Sequence, residues 1–231
     1  MSSLGLLIAF ALTTVNLDVV TLPPSSDVKV ALTPAGKGEF KREGTVTRIK
    51  IEIDRVNAPT TLGPALNTYI VWAISPEGIL DNLGELDTSG NKGQFNATTR
   101  FSQFAILITA EPHYMVDRPS SAAAYRNQVS PGDIRRKTAS VEIGPYDYSN
   151  LTPTTSFVVH GSVVQARTAF QIAQKAGADR LAPEEFRNAQ VALGSLEELL
   201  MRAAPLDTFW PTANEAIRWS QQAAMAARNK R

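Results

Sequence analysis

Cysteine is absent from the 231 residues. That excludes a disulfide scaffold, an iron–sulfur cluster, a cysteine nucleophile and a thiolate zinc site. Histidine, the usual general base, occurs only at His113 and His160. Net charge is nearly absent as well, with 23 basic against 22 acidic side chains. Such a balance gives no electrostatic footprint for nucleic acid and no polybasic membrane patch. Long apolar runs are missing too: Leu4 to Leu12 spans nine residues, whereas a membrane helix needs about 20. What is there is an apolar fraction of 43%, too high for a disordered chain. The length suffices for a buried core in one large or two small domains.

The run Leu4 to Leu12 has the length of a signal-peptide apolar region, and Ala9-Phe10-Ala11 has the small-x-small form of a cleavage site. The usual basic start is missing, since the first lysine is Lys29. Residues 1–11 therefore read either as an export signal or as a first strand that continues into Val15 to Leu22. Export would place the mature chain in the periplasm or outside the cell.

Composition changes near His160. Residues 1–159 hold 11 of the 14 glycines and 11 of the 14 prolines, while residues 160–231 hold 16 alanines. Glycine and proline punctuate turns, and alanine is the best helix former. The expected fold class is α+β: an antiparallel Ig-like β-sandwich over residues 12–145, a linker at 146–160, and an Ala-rich region of three helices at 161–231.

Period-2 runs mark the strands. Val28 to Leu32 alternates, and so does Val46 to Ile53, with Val46, Ile49, Ile51 and Ile53 assigned inward. Thr68 to Ile74 is continuously apolar, as a central strand covered on both faces would be. Gln94 to Thr99, Gln103 to Thr109 and Ala139 to Ile143 supply further strands. Residues 117–138, with Arg135-Arg136-Lys137, read as a long surface loop. In the helical region, Val163, Ala166, Ala169 and Ala173 recur at helical spacing and stop at Gly177, a C-terminal cap. Pro183 opens a second helix with Glu184 and Glu185 in its first turn. A third runs from Pro211, capped by Asp207 or Thr208.

Chemistry-bearing patterns are few. No G-x-S-x-G elbow occurs. His160-Gly161-Ser162 sets a histidine beside a serine, but a triad needs convergence in space. His113 is expected on a surface turn after a strand and His160 at the start of the first helix. No H-x-x-x-H pair suggests zinc. Asp87-x-Ser89-x-Asn91 has calcium-loop spacing, yet Lys92 and Thr98 stand where that loop needs glycine and glutamate, so a turn is expected. Gly36-Lys37-Gly38 lacks the third glycine of a dinucleotide loop. No metal and no cofactor are expected.

Two sets of residues remain as candidates. Tyr114, Tyr125, Tyr146 and Tyr148 could stack a glycan or small ligand, or could seal the junction between the two parts. Ala166, Ala173, Phe186, Ala189, Leu193, Ile217 and Trp219 form apolar stripes that serve either mutual helix packing or a partner.

The helical part, Ala166-x-x-Ala169-x-x-x-Ala173-x-x-Ala176-Gly177-Ala178-x-x-x-Ala182-Pro183-Glu184-x-Phe186-x-x-Ala189-x-x-x-Leu193, resembles an Ala-rich helical unit of bacterial cell-envelope proteins. In that family it is often found in lipoproteins or ahead of OmpA-like peptidoglycan-binding domains. Tyr69 to Gly78, Leu83-Gly84-Glu85-Leu86 and Phe104 to Pro112 look like the uncharacterised sandwich domain that precedes such helices. The resemblance implies export and a structural role, and it supplies no catalytic residues. Without a lipid-accepting cysteine, attachment would come through protein contacts. The expected function is thus a non-enzymatic, exported structural or interaction subunit of a larger bacterial assembly. Its partners would be other envelope proteins or a second copy, with no nucleic acid and no membrane span. The alternative is a glycan- or small-ligand-binding module.

Overall fold

A computed structural model describes residues 13–129, 137–154 and 160–231. The run Leu4 to Leu12, the Ala9-Phe10-Ala11 tripeptide, and Arg135 and Arg136 lie outside the described residues.

The fold is α+β, with a large antiparallel sheet followed by helices. Ten strands form it: β1 (Thr13–Thr21), β2 (Asp27–Thr33), β3 (Lys37–Glu43), β4 (Val46–Ile53), β5 (Thr68–Ile74), β6 (Leu80–Glu85), β7 (Gly93–Thr99), β8 (Gln103–Glu111), β9 (Ala123–Gln128) and β10 (Lys137–Ile143). Their hydrogen bonding draws one sheet rather than two. It runs β5–β8–β9–β2–β3–β4–β7, and β5 carries β6 on its other side. β6 leads into Asp87, which bridges Gln94 of β7. The sheet therefore curls into a nearly closed ring.

One side-chain set fills the ring. Phe40, Ile49, Ile51, Ile53, Val71, Phe104, Ile106 and Ile108 meet inside it. The opposite set on β5 and β8 (Ile70, Trp72, Ile74, Ala105 and Leu107) packs outside against Leu17, Val19, Ala139, Val141 and Ile143 of the β1–β10 ribbon. Every residue of β5 is consequently buried, and this double cover is why its sequence lacks alternation. β1 changes partner along its length: Thr13 to Val19 pair with β10, and Val20 and Thr21 pair with β8.

The alternation of β4 is stricter than assigned. Thr47, Ile49, Ile51 and Ile53 are buried, whereas Val46 is exposed. Two-residue spacing sets Thr47 inward, and its hydroxyl is satisfied there by donating to Phe101 O at 2.8 Å and accepting from Arg42 Nη1 at 2.9 Å. The expected loop at 117–138 contains β9. Its inward positions carry Tyr125 and Asn127. Asn127 accepts from Ile106 N at 2.7 Å and donates to Asp18 O at 2.8 Å, so a polar residue occupies a core-facing position and hides the period.

Three long helices and one short turn follow: α1 (Gly161–Lys175), α2 (Ala178–Leu181), α3 (Pro183–Met201) and α4 (Leu206–Arg228). α1 ends at left-handed Gly177, φ +72°, a conformation that costs glycine least. Pro183 opens α3, with Glu184 and Glu185 in the first turn. α4 begins at Leu206, earlier than expected, and Pro211 lies inside it. Pro211 is the sixth residue of this helix, past the free first-turn amides, so it removes the one intrahelical bond its N–H would make to Asp207 O, and the helix nevertheless runs through it. None of these helices is long and apolar enough to cross a membrane.

The expected linker is a wedge between the two parts. It carries no regular element over residues 146–154, but Leu151 is buried among helix residues. Tyr148 packs against both the ring core and the helical core.

Candidate functional site

The helices dock onto the β8 end of the ring through side-chain hydrogen bonds. Gln165 of α1 accepts from Tyr114 N at 2.8 Å and donates to Glu85 Oε1 at 2.7 Å. Asn67 donates to Thr168 Oγ1 at 3.1 Å and Pro112 O at 2.9 Å. Gln221 of α4 donates to Asp117 at 2.8 Å. Between them lies a polar layer, and a cleft opens at its margin.

The polar layer holds two buried titratable side chains. Glu111 accepts from Ser120 N at 2.6 Å and from the Thr109 hydroxyl, which in turn accepts from Trp72 Nε1 at 2.9 Å. Its second oxygen, Oε2, has no partner among the described residues. Burial raises its pKa to about 8. His113, expected on a surface turn, is fully buried, and neither ring nitrogen has a partner among the described residues. Burial, with the nearby Arg228, lowers its pKa to about 3. The turn after β8 would be a surface of the β part alone. Docking of the helices, which no strand-level reading contains, buries it. Among the described residues, no group of three or more acidic or histidine side chains could hold a metal ion.

Two separate pockets lie here, one of about 390 Å³ between the β part and the 146–149 stretch and one of about 430 Å³ between the β part and the helices, which is the cleft. The larger one is lined by Asn67, Thr68, Glu85, Tyr114, His160, Ser162, Gln165, Trp210 and Asn214, among others. His160 is the cap of α1, as expected at the start of that helix. Its Nδ1 accepts from Ser162 N at 3.3 Å and lies 2.9 Å from Ser162 Oγ. Glu85 shares the cleft, but its Oε1 accepts from Thr68 and Gln165. His160 and Ser162 thus hydrogen-bond each other in this cleft, but Glu85 is bonded to Thr68 and Gln165 and not to the His160 ring, so the three do not line up as the ordered relay of a triad.

The four tyrosines separate. Tyr125 lies in the ring, edge-on to Tyr69, and its hydroxyl donates to Arg55 O at 3.2 Å, so it cannot face a ligand in the junction. Tyr114 lines the larger cleft. Tyr146 and Tyr148 line two adjoining pockets. There Tyr146 donates to Asp117 at 2.8 Å, and the Arg228 guanidinium lies 3.5 Å from its ring centroid.

Of the apolar stripe residues, Ala166, Ala173, Ala189 and Ile217 are fully buried in the helical cores. They are spent within the chain and offer no surface to a partner. Phe186 stacks on Phe170 at 5.1 Å beside one helical core, and Leu193 and Trp219 are half-buried beside the other. Arg167 clamps α1 to α3 through paired bonds of 2.7 and 2.6 Å to Glu197.

Glu85, Gln165, Trp210 and Asn214 were missed as site residues. Gln165 and Thr168 did carry a signal: both lie on the buried side of α1, where a helix that packed only on other helices would hold apolar side chains.

No protein-family model matches the chain, and neither a curated protein nor a solved structure matches it.

Proposed function

We propose that the chain is a non-enzymatic interaction subunit of an exported bacterial assembly. One observation carries the interaction reading. Within ten residues around the α3–α4 turn, Met201, Leu206 and Trp210 are 80%, 49% and 52% exposed. Clustered apolar exposure of this kind marks association surfaces, and tryptophan and methionine are enriched at them. The exported, envelope setting rests on the sequence resemblance and on the apolar run at Leu4 to Leu12. The Ig-like description of the β part is likewise a proposal, supported by the way the β1–β10 ribbon layers over β5 and β8.

Light scattering over a range of concentrations, with cross-linking in an envelope extract, tests the reading. A complex is expected with a second copy or a defined envelope protein. Met201→Ser combined with Trp210→Ser should abolish it without changing the melting temperature. A chain that stays monomeric and cross-links to nothing overturns the proposal.

A narrower ligand reading is favoured by Tyr146 and Tyr148, which line adjoining pockets of about 390 and 340 Å³, the size range of small-molecule sites. A glycan array with no hit removes the glycan form of it.

A further inference from the structure

We propose that the cleft beneath Trp210 receives an arginine side chain of the partner; this rests on the interaction reading above and names what the partner brings. The argument starts at Glu85. Its Oε1 accepts from Thr68 and Gln165, and the neighbouring Asn67 bonds Ala65 O, Pro112 O and Thr168. Glu85 is exposed, and among the described residues its Oε2 has no hydrogen bond.

Charge points the same way. The cleft joins a second pocket through His160 and Trp210, and that pocket adds Asp207. Neither is lined by a lysine or arginine. Of the first-turn amides of α1, which attract anions when free, three are already occupied: Ser162 N donates to the His160 ring, and Val163 N and Val164 N donate to His160 O. An anion finds no free cation here, whereas a guanidinium finds what it needs. It has five donors and no acceptor, pairs with a carboxylate, and lies flat on an indole face. Trp210 supplies that face at the rim and Glu85 the carboxylate.

The test titrates the blocked peptide acetyl-Gly-Arg-Gly-amide into the full chain while tryptophan fluorescence is followed. A saturable change is expected that vanishes in Trp210→Leu. Binding should weaken about tenfold for the citrulline peptide, which keeps the shape without the charge, and for Glu85→Gln, which keeps the Oε1 acceptor. High salt should weaken it as well. Circular dichroism of both variants checks that they fold. Equal binding of the arginine and citrulline peptides overturns the proposal, as does a folded Glu85→Gln variant that binds like the parent, or a neutral monosaccharide that produces the change instead. If Glu85→Gln binds like the parent while the Met201 and Trp210 variant loses its complex, the docking surface stands and the arginine assignment falls. If the peptide binds as expected while the chain associates with nothing, the interaction reading falls and the cationic site stands.

Discussion

Glu111 and His113 sit two residues apart and carry opposite pH liabilities. Both are buried in the neutral form, with Asp117, Arg228 and Tyr148 as ionisable neighbours. For Glu111 the folded pKa, about 8, lies above the ordinary 4.5, so its contribution to stability is lost as pH rises from about 4.5 to about 8. For His113 the folded pKa, about 3, lies below the ordinary 6.5, so its contribution is lost as pH falls from about 6.5 to about 3. Between about 4.5 and 6.5 the two slopes cancel, because unfolding releases one proton and takes up another. Urea unfolding across pH should therefore show a plateau there and a decline on either side, approaching about 1.4 kcal/mol per pH unit. Glu111→Gln should flatten the alkaline decline and leave the acid one. An unaltered alkaline slope in that variant would show that Glu111 is ionised in the folded chain.

Elements whose buried positions are mainly apolar were legible in the sequence, and elements that mix polar residues or glycine into the buried face were not. β4, β5 and β8 were visible, because Ile49, Ile51 and Ile53 alternate and Thr68 to Ile74 is apolar throughout. β3, β6 and β9 were hidden. Gly38 and Phe40 are the buried positions of β3, β6 has no fully buried residue, and β9 turns Asn127 inward. Among the helices, Gly177 and Pro183 marked the boundaries correctly, and Pro211 misled because the helix begins at Leu206 and continues through it. The cleft was the least legible feature. Glu85, Gln165 and Trp210 lie on three separate elements, and only docking brings them together. The alanine faces lead to a sharp expectation. Ala189 is fully buried, so Ala189→Glu would bury an unpaired charge and cost about 3 kcal/mol or more. At this chain length that corresponds to a fall in melting temperature of roughly 10 °C. An unchanged melting curve would mean that α3 turns this face to solvent.

At the scale of the molecule, the ring is closed unevenly. β4 and β7 share a full ladder from Thr47 to Ile53. β6 and β7 are joined instead by the reciprocal bonds of Asp87 and Gln94, 3.0 and 2.8 Å. Local opening begins where few bonds must break together, so native-state hydrogen exchange should find the amides of Asp87 and Gln94 less protected than those of Ile49 and Ile51. Equal protection would show that the ring opens only as a unit. The pairing of β1 with β10 has a further consequence, at the ribosome. β1 is among the first strands made, yet its partner at Lys137–Ile143 is on the order of a hundred residues away. At synthesis rates of roughly 5–20 residues per second, Leu17 and Val19 wait on the order of ten seconds for the strand that pairs with them. Throughout that interval the Thr13–Val19 stretch of β1 lacks its ladder partner, and chaperone demand during synthesis should fall once residue 143 has emerged.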